Sequence, residues 1–159
     1  MLNPYPDDDM QLNRLLTTLA SLTLVPALNA QTPALKAPLS LTKADSARYM
    51  SLGNSATRYL LGGRADSLAA MIDSTALERL GGVEGISKQQ DNIAERAGVE
   101  TRVVEEQLTR RNGMLQFWHA GEFSEVTGDQ FVIRWLFDEH GKIVGAGLGP
   151  KSDTPAVDS

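Results

Sequence analysis

Residues 110–123, RRNGMLQFWHAGEF, decide how this chain folds. Asn112-Gly113 suits the two left-handed positions of a type I′ turn, which joins antiparallel strands through a two-residue loop. Beyond it Leu115, Phe117, His119, Gly121 and Phe123 alternate with Gln116, Trp118, Ala120 and Glu122, the two-residue period of a strand. The same period runs back through VETRVVEEQLTRR (99–111). It returns in QFVIRWLF (130–137) and KIVGAGLG (142–149), which flank a second turn at DEHG. These stretches predict an antiparallel meander.

Upstream of Gly98 the period is close to four. Thr42 and Asp45 form a start resembling a capping box. Tyr49, Leu52, Ala56, Tyr59 and Leu60 then make an apolar helical stripe that Gly62-Gly63 ends. A shorter helix is expected from Asp66, with Leu68, Met71 and Ile72 inward. Thr75 and Glu78 cap another turn or two before Gly81-Gly82. A last helix uses Ile86, Gln90, Ile93 and Ala97, with Gly98 as its stop. Helices followed by a meander predict one α+β domain over residues 42–150, its N-terminal helices packed on one face of a curved antiparallel sheet.

Three or so helices followed by long strands ending in FVIRWLFDEHGKIVGAGLGP (131–150) resemble the nuclear transport factor 2-like, cystatin-like cone superfamily. The likeness is greatest to a bacterial family of unknown function, often exported, whose last hairpin has this F-D-E-x-G-K-I-x-G character. It covers about residues 43–150 and implies that the helices lie in the concave face of a cone. The superfamily includes ketosteroid isomerases, dehydratases and cyclases beside many non-enzymatic binding and assembly domains. Its enzymes' catalytic residues have no matching motif here, so none is carried over.

Hairpin turns set register, and register sets neighbours. Asn112-Gly113 pairs Arg111 with Met114, Leu108 with Phe117, Glu106 with His119 and Val104 with Gly121. Aligning apolar faces across the longer 124–128 connection places Phe123 opposite Phe131, His119 opposite Trp135 and Phe117 opposite Phe137. The same matching sets Trp135 against Gly145, Ile133 against Gly147 and Phe131 against Gly149. Glycines opposite large rings leave space, and an apolar face with space and a few polar groups makes a small-molecule pocket. Its expected lining is Phe117, His119, Phe131, Ile133, Trp135, Phe137, Gly145 and Gly147, with Tyr49 or Tyr59 reaching in from the first helix.

Glu106 and His119 are the polar pair of that pocket. A carboxylate beside an imidazole fixes the ring's tautomer and raises its basicity. As a catalytic dyad the pair would take a proton from a carbon acid or assist loss of water. As a structural pair it would satisfy two buried polar groups. Two function classes follow: a non-catalytic module binding a small apolar or amphipathic ligand or serving assembly, and a small lyase or isomerase using Glu106 and His119. Trp118, Val132, Leu136, Val144 and Leu148 alternate onto the opposite, convex face, together with Val103. They predict a homodimer through it, or a chain segment folded over it.

Composition narrows the alternatives. A formal charge of −5 with no basic block longer than Arg110-Arg111 argues against nucleic acid. The chain of 159 residues has no cysteine, which excludes disulfides, thiolate metal sites and cysteine nucleophiles. Its two histidines stand in no helical HxxxH or HxxE spacing, so no metal is expected, nor any cofactor. GAGLG at 145–149 imitates a dinucleotide loop, but no helix follows it. His140 belongs to the DEHG turn and is expected in solvent.

The N-terminus has the layout of a secretory signal over residues 1–30. After Met10, itself a candidate start, come Arg14, an apolar run from Leu15 to Leu28, and Ala30 before Gln31. The run is short of the roughly 20 apolar residues a membrane span needs. The alternative is a buried or amphipathic N-terminal helix. QTPALKAPLSL (31–41) reads as a linker and KSDTPAVDS (151–159) as a disordered tail. An exported domain free of the membrane after cleavage is the expectation.

Overall fold

The computed structural model describes residues 41–154. The signal segment, the linker up to residue 40 and the last five residues lie outside the described residues. Four helices precede four strands: α1 (Lys43–Leu61), α2 (Ala65–Ala69), α3 (Ser74–Arg79), α4 (Gly82–Arg96), β1 (Glu100–Arg111), β2 (Met114–Phe123), β3 (Phe131–Phe137) and β4 (Ile143–Pro150). The strands form one antiparallel sheet in the order β1-β2-β3-β4. The α+β class is therefore as expected. Among the described residues no helix is long and apolar enough to cross a membrane.

Local chemistry sets the element ends. The Asp45 N–H donates to Thr42 Oγ1 at 3.1 Å, so Thr42 caps α1. Gly63 (φ 69°) ends it in the left-handed region that favours glycine. α3 is capped two residues earlier than Thr75: Asp73 Oδ1 accepts from the N–H groups of Thr75 and Ala76. Asn112 (φ 51°) and Gly113 (φ 78°) make the left-handed turn between β1 and β2.

The main core lies between the helices and one sheet face, where Leu115, Phe117, Phe123, Ile133, Trp135, Phe137 and Ile143 meet Tyr49, Ala56, Leu60, Leu68, Ile86 and Ile93. α1 comes closest to the sheet at Gly53, where a Cβ would overlap the Phe117 ring. Two polar anchors hold α1 there. Trp135 Nε1–H donates to Thr57 Oγ1 at 2.9 Å, and the Tyr49 hydroxyl donates to the Asp138 carbonyl at 3.0 Å in the β3–β4 turn.

The register departs from expectation wherever the ladder is irregular. β1–β2 pairs Arg111 with Met114, Leu108 with Phe117 and Glu106 with His119, as the turn predicts. Bulges between Val103 and Glu105 and between Glu100 and Arg102 then shift it, so Val103, not Val104, opposes Gly121. β2–β3 is two residues from the expected match: Gly121 opposes Phe131, His119 opposes Ile133 and Phe117 opposes Trp135. The end of β2 is held by backbone bonds from Ser124 to Val99 and from Glu125 to Ala97, so it does not continue along β3. A slip of two keeps each side chain on its face.

β4 differs more. Phe137 opposes Ile143, but a bulge at Val144 moves the rest by one, so Ala146 and Leu148 oppose Trp135 and Ile133. Gly145, Gly147 and Gly149 instead oppose Leu136, Arg134 and Val132 on the outer face. The glycines therefore do not hollow out the core beside the large rings.

The outer face is also not the exposed surface expected of a dimer contact. Trp118 and Val132 are only 6% and 0% exposed and form a small cluster with Ala120. Leu136 is half-buried. Val144, at the bulge, lines a crevice with Ile72, Ala76 and Leu80 on the helix side, and Leu148 joins that side too. The tail expected to be structureless from Lys151 begins with a 3-10 turn over Lys151–Asp153, where Lys151 N–H donates to the Gln130 carbonyl at 2.7 Å.

Candidate functional site

His119 lies on β2 on the helix-facing side, and both its ring nitrogens meet carboxylates. Nδ1 is 3.0 Å from Glu106 Oε1 and Nε2 is 2.5 Å from Glu100 Oε1. Cross-strand pairing supplies Glu106. Glu100 is brought in by the two β1 bulges, which set it opposite Phe123, two pairs beyond Gly121. Gly121 makes room for it, since a Cβ there would collide with the Glu100 carboxylate. Both ring nitrogens are thus engaged by carboxylates, which leaves neither free to ligate a metal.

The trio is reachable. It forms one wall of a cavity of about 720 Å³ between α1 and the β1–β2 hairpin. The ring is 3% exposed, while the Glu100 and Glu106 side chains are 21% and 26% exposed. Ser51, Asn54, Ser55 and Arg58 line the facing wall from one side of α1, with Thr57, Leu61, Gly62 and Val103 completing it. The C-terminal end of α1 opens onto this space, and the helix dipole adds negative potential there. The chemistry on offer is recognition of hydrogen-bond donors or positive charge by two carboxylates held in place by one ring.

Other expected lining residues lie elsewhere. Phe117, Ile133, Trp135 and Phe137 are packed inside the main core. Phe131 is half-buried against Phe123, ring centroids 5.2 Å apart. The Tyr49 hydroxyl is committed to the Asp138 carbonyl. Tyr59 lies under the Arg64 guanidinium, 4.7 Å from its ring centroid. Gly145 and Gly147 are in β4 with their faces reversed. Of the expected set, only Glu106 and His119 meet in the cavity. His140 is exposed in its turn, as expected.

Glu100 and the polar side of α1 were not among the expected residues. Ser51, Asn54, Ser55 and Arg58 do carry a signal, the three- and four-residue spacing of one helix face. Glu100 carries none, because its position depends on bulges. No protein-family model, no curated protein and no solved structure matches this chain.

Proposed function

We propose that this protein is a small-molecule-binding module whose cavity between α1 and β1–β2 takes a polar or amphipathic ligand by an amine or another donor-rich group. The observation that carries the reading is the pair of part-exposed carboxylates, Glu100 and Glu106, braced by the buried His119 in a cavity of about 720 Å³. Their negative charge faces the C-terminal end of α1, which also favours a cation. Closure of the apolar positions by Phe117, Ile133, Trp135 and Phe137 moves the site away from the sheet centre and makes its lining polar. The cystatin-like cone of the nuclear transport factor 2-like superfamily is the architecture we infer, supported by helices preceding a four-stranded meander and covering one of its faces.

Native mass spectrometry of the purified protein, followed by thermal shift against a panel of small primary amines and guanidines, tests the reading. A retained or stabilising cation that Glu100→Gln plus Glu106→Gln no longer binds is the expected result. Binding unaffected by that double substitution would sink it.

A lyase or isomerase is the second reading, favoured by the exposure of the carboxylates: either could accept a proton from substrate while His119 holds it in place. Tyr49 and Tyr59 drop out as its donors, and Ser51 and Asn54 stand at the wall instead. We also propose that the module works outside the cytoplasm, supported by the signal layout of residues 1–30. Intact-mass measurement of protein from the native host should give a mature chain beginning at Gln31. A full-length chain in the cytoplasmic fraction contradicts this.

A further inference from the structure

The geometry points to β4 as a strand-addition edge at which two copies of this chain pair antiparallel about Gly147. This rests on the free side of the sheet, not on the ligand cavity. β4 is an outer strand, bonded along Gly145–Pro150 to β3 alone among the described residues. Its first residue is already covered: Ile143 N–H donates to the Met71 carbonyl, and Asp73 N–H donates to the Ile143 carbonyl. The stretch left open by the described residues is therefore 144–150, centred on Gly147.

The phase of the ladder says which groups are open. Lys151 N–H donates to the Gln130 carbonyl, a bonded pair in the register that continues through Gly149–Val132, Gly147–Arg134 and Gly145–Leu136. In an antiparallel ladder the intervening residues turn their N–H and C=O the other way. Ala146 and Leu148 thus present both groups outward, at equal distances on either side of Gly147. Rotating a second copy about an axis through Gly147 brings Ala146 of each opposite Leu148 of the other. Four backbone bonds then close, and the two Gly147 residues form the close, non-bonded pair on the axis.

Three observations favour a second copy as the occupant. The open stretch carries no charge of its own from Val144 to Pro150, and the charge lying over the axis, the Arg134 guanidinium against Gly147, is the far end of a flexible side chain. It lacks the lysines by which natural edges avoid pairing, and its devices, the bulge at Val144 and Pro150, stand at its two ends. Finally, Ala146 is a small, exposed residue at the rim of two apolar crevices of about 160 and 340 Å³ that share Ile72, Leu80 and Trp135. Leu148 of the second copy falls opposite Ala146, on the crevice side, where Leu80 is 48% exposed.

The absence of cysteine makes the register directly testable. Gly147→Cys places two thiols across the axis, with Cα atoms about 4.5 Å apart, within disulfide reach. The Cβ there displaces only the guanidinium end of Arg134. Gly145→Cys places its thiols on strand positions about 13 Å apart, out of reach. The full chain should sediment as a dimer, Gly147→Cys should link on mild oxidation, and Gly145→Cys should not. Ala146→Pro removes an outward N–H and no bond to β3, and should give a monomer with unchanged secondary structure. A monomeric wild type, equal linking of the two cysteine variants, or a dimer that survives Ala146→Pro in the folded protein would overturn the proposal. If Ala146→Pro does not fold, the cysteine pair decides alone.

Discussion

His119 separates two carboxylates that would otherwise repel each other on the same face of the hairpin. Replacing it by alanine removes two charge-assisted contacts and leaves Glu100 and Glu106, each only part exposed, without their donor. His119→Ala should therefore cost about 1–3 kcal/mol, the penalty for stranding a buried polar group, as read from urea unfolding. Glu106→Gln should cost less, because the ring keeps Glu100. Gly121→Ala tests the same trio from behind: its Cβ must push the Glu100 carboxylate away from Nε2, so ligand binding should fall while the Glu106 contact persists. Asp129 gives a pH prediction. Hydrogen bonds from the Ser152 side chain, then from the Gln130 and Ser152 N–H groups, hold its carboxyl below the usual aspartate range. A folded value below the unfolded one gives stabilisation that is complete above the unfolded value, near 3.9, and lost as pH falls through the folded value. The contact between the 3-10 turn and the 129–130 loop should loosen only in that acid range, seen as faster exchange of the Ser152 amide.

At the scale of elements, α1 is positioned by one missing side chain and two polar anchors. Gly53 lets the helix lie directly on Phe117, so Gly53→Ala forces a methyl into a filled space. It should destabilise by about 1–3 kcal/mol, the usual cost of overpacking, although alanine is the better helix former in isolation. Denaturant unfolding, with helicity of an isolated α1 peptide as control, separates the two effects, which have opposite signs. Tyr49→Phe removes the hydroxyl bond to the Asp138 carbonyl and should cost about 1 kcal/mol. Both substitutions also shift the Ser51–Arg58 wall of the cavity, so binding should weaken along with stability. The hairpin is tuned differently: its two bulges, not its turn, bring Glu100 to His119.

Across the whole described domain, residue pattern and three-dimensional packing settled different things. The four strands, the long first and fourth helices, the Asn112-Gly113 turn, the face on which His119 lies and its pairing with Glu106 follow from local chemistry. Side-chain period, caps and left-handed turn residues act over a few positions and leave their mark in adjacent letters. The faces of β4, the partner of Nε2 and the place of the cavity do not follow from them. Each depends on where a ladder admits an extra residue: at Val144, and twice in β1. One extra residue reverses every later side chain, so the glycines read as hollows beside Trp135 and Ile133 lie on the outer face, and Leu148 turns inward. The energy that selects a bulge comes from distant contacts: Ile143 held by Met71 and Asp73, and the end of β2 held by Val99 and Ala97. Those partners are remote in the chain, so only the folded arrangement could choose among registers that the letters leave nearly equal.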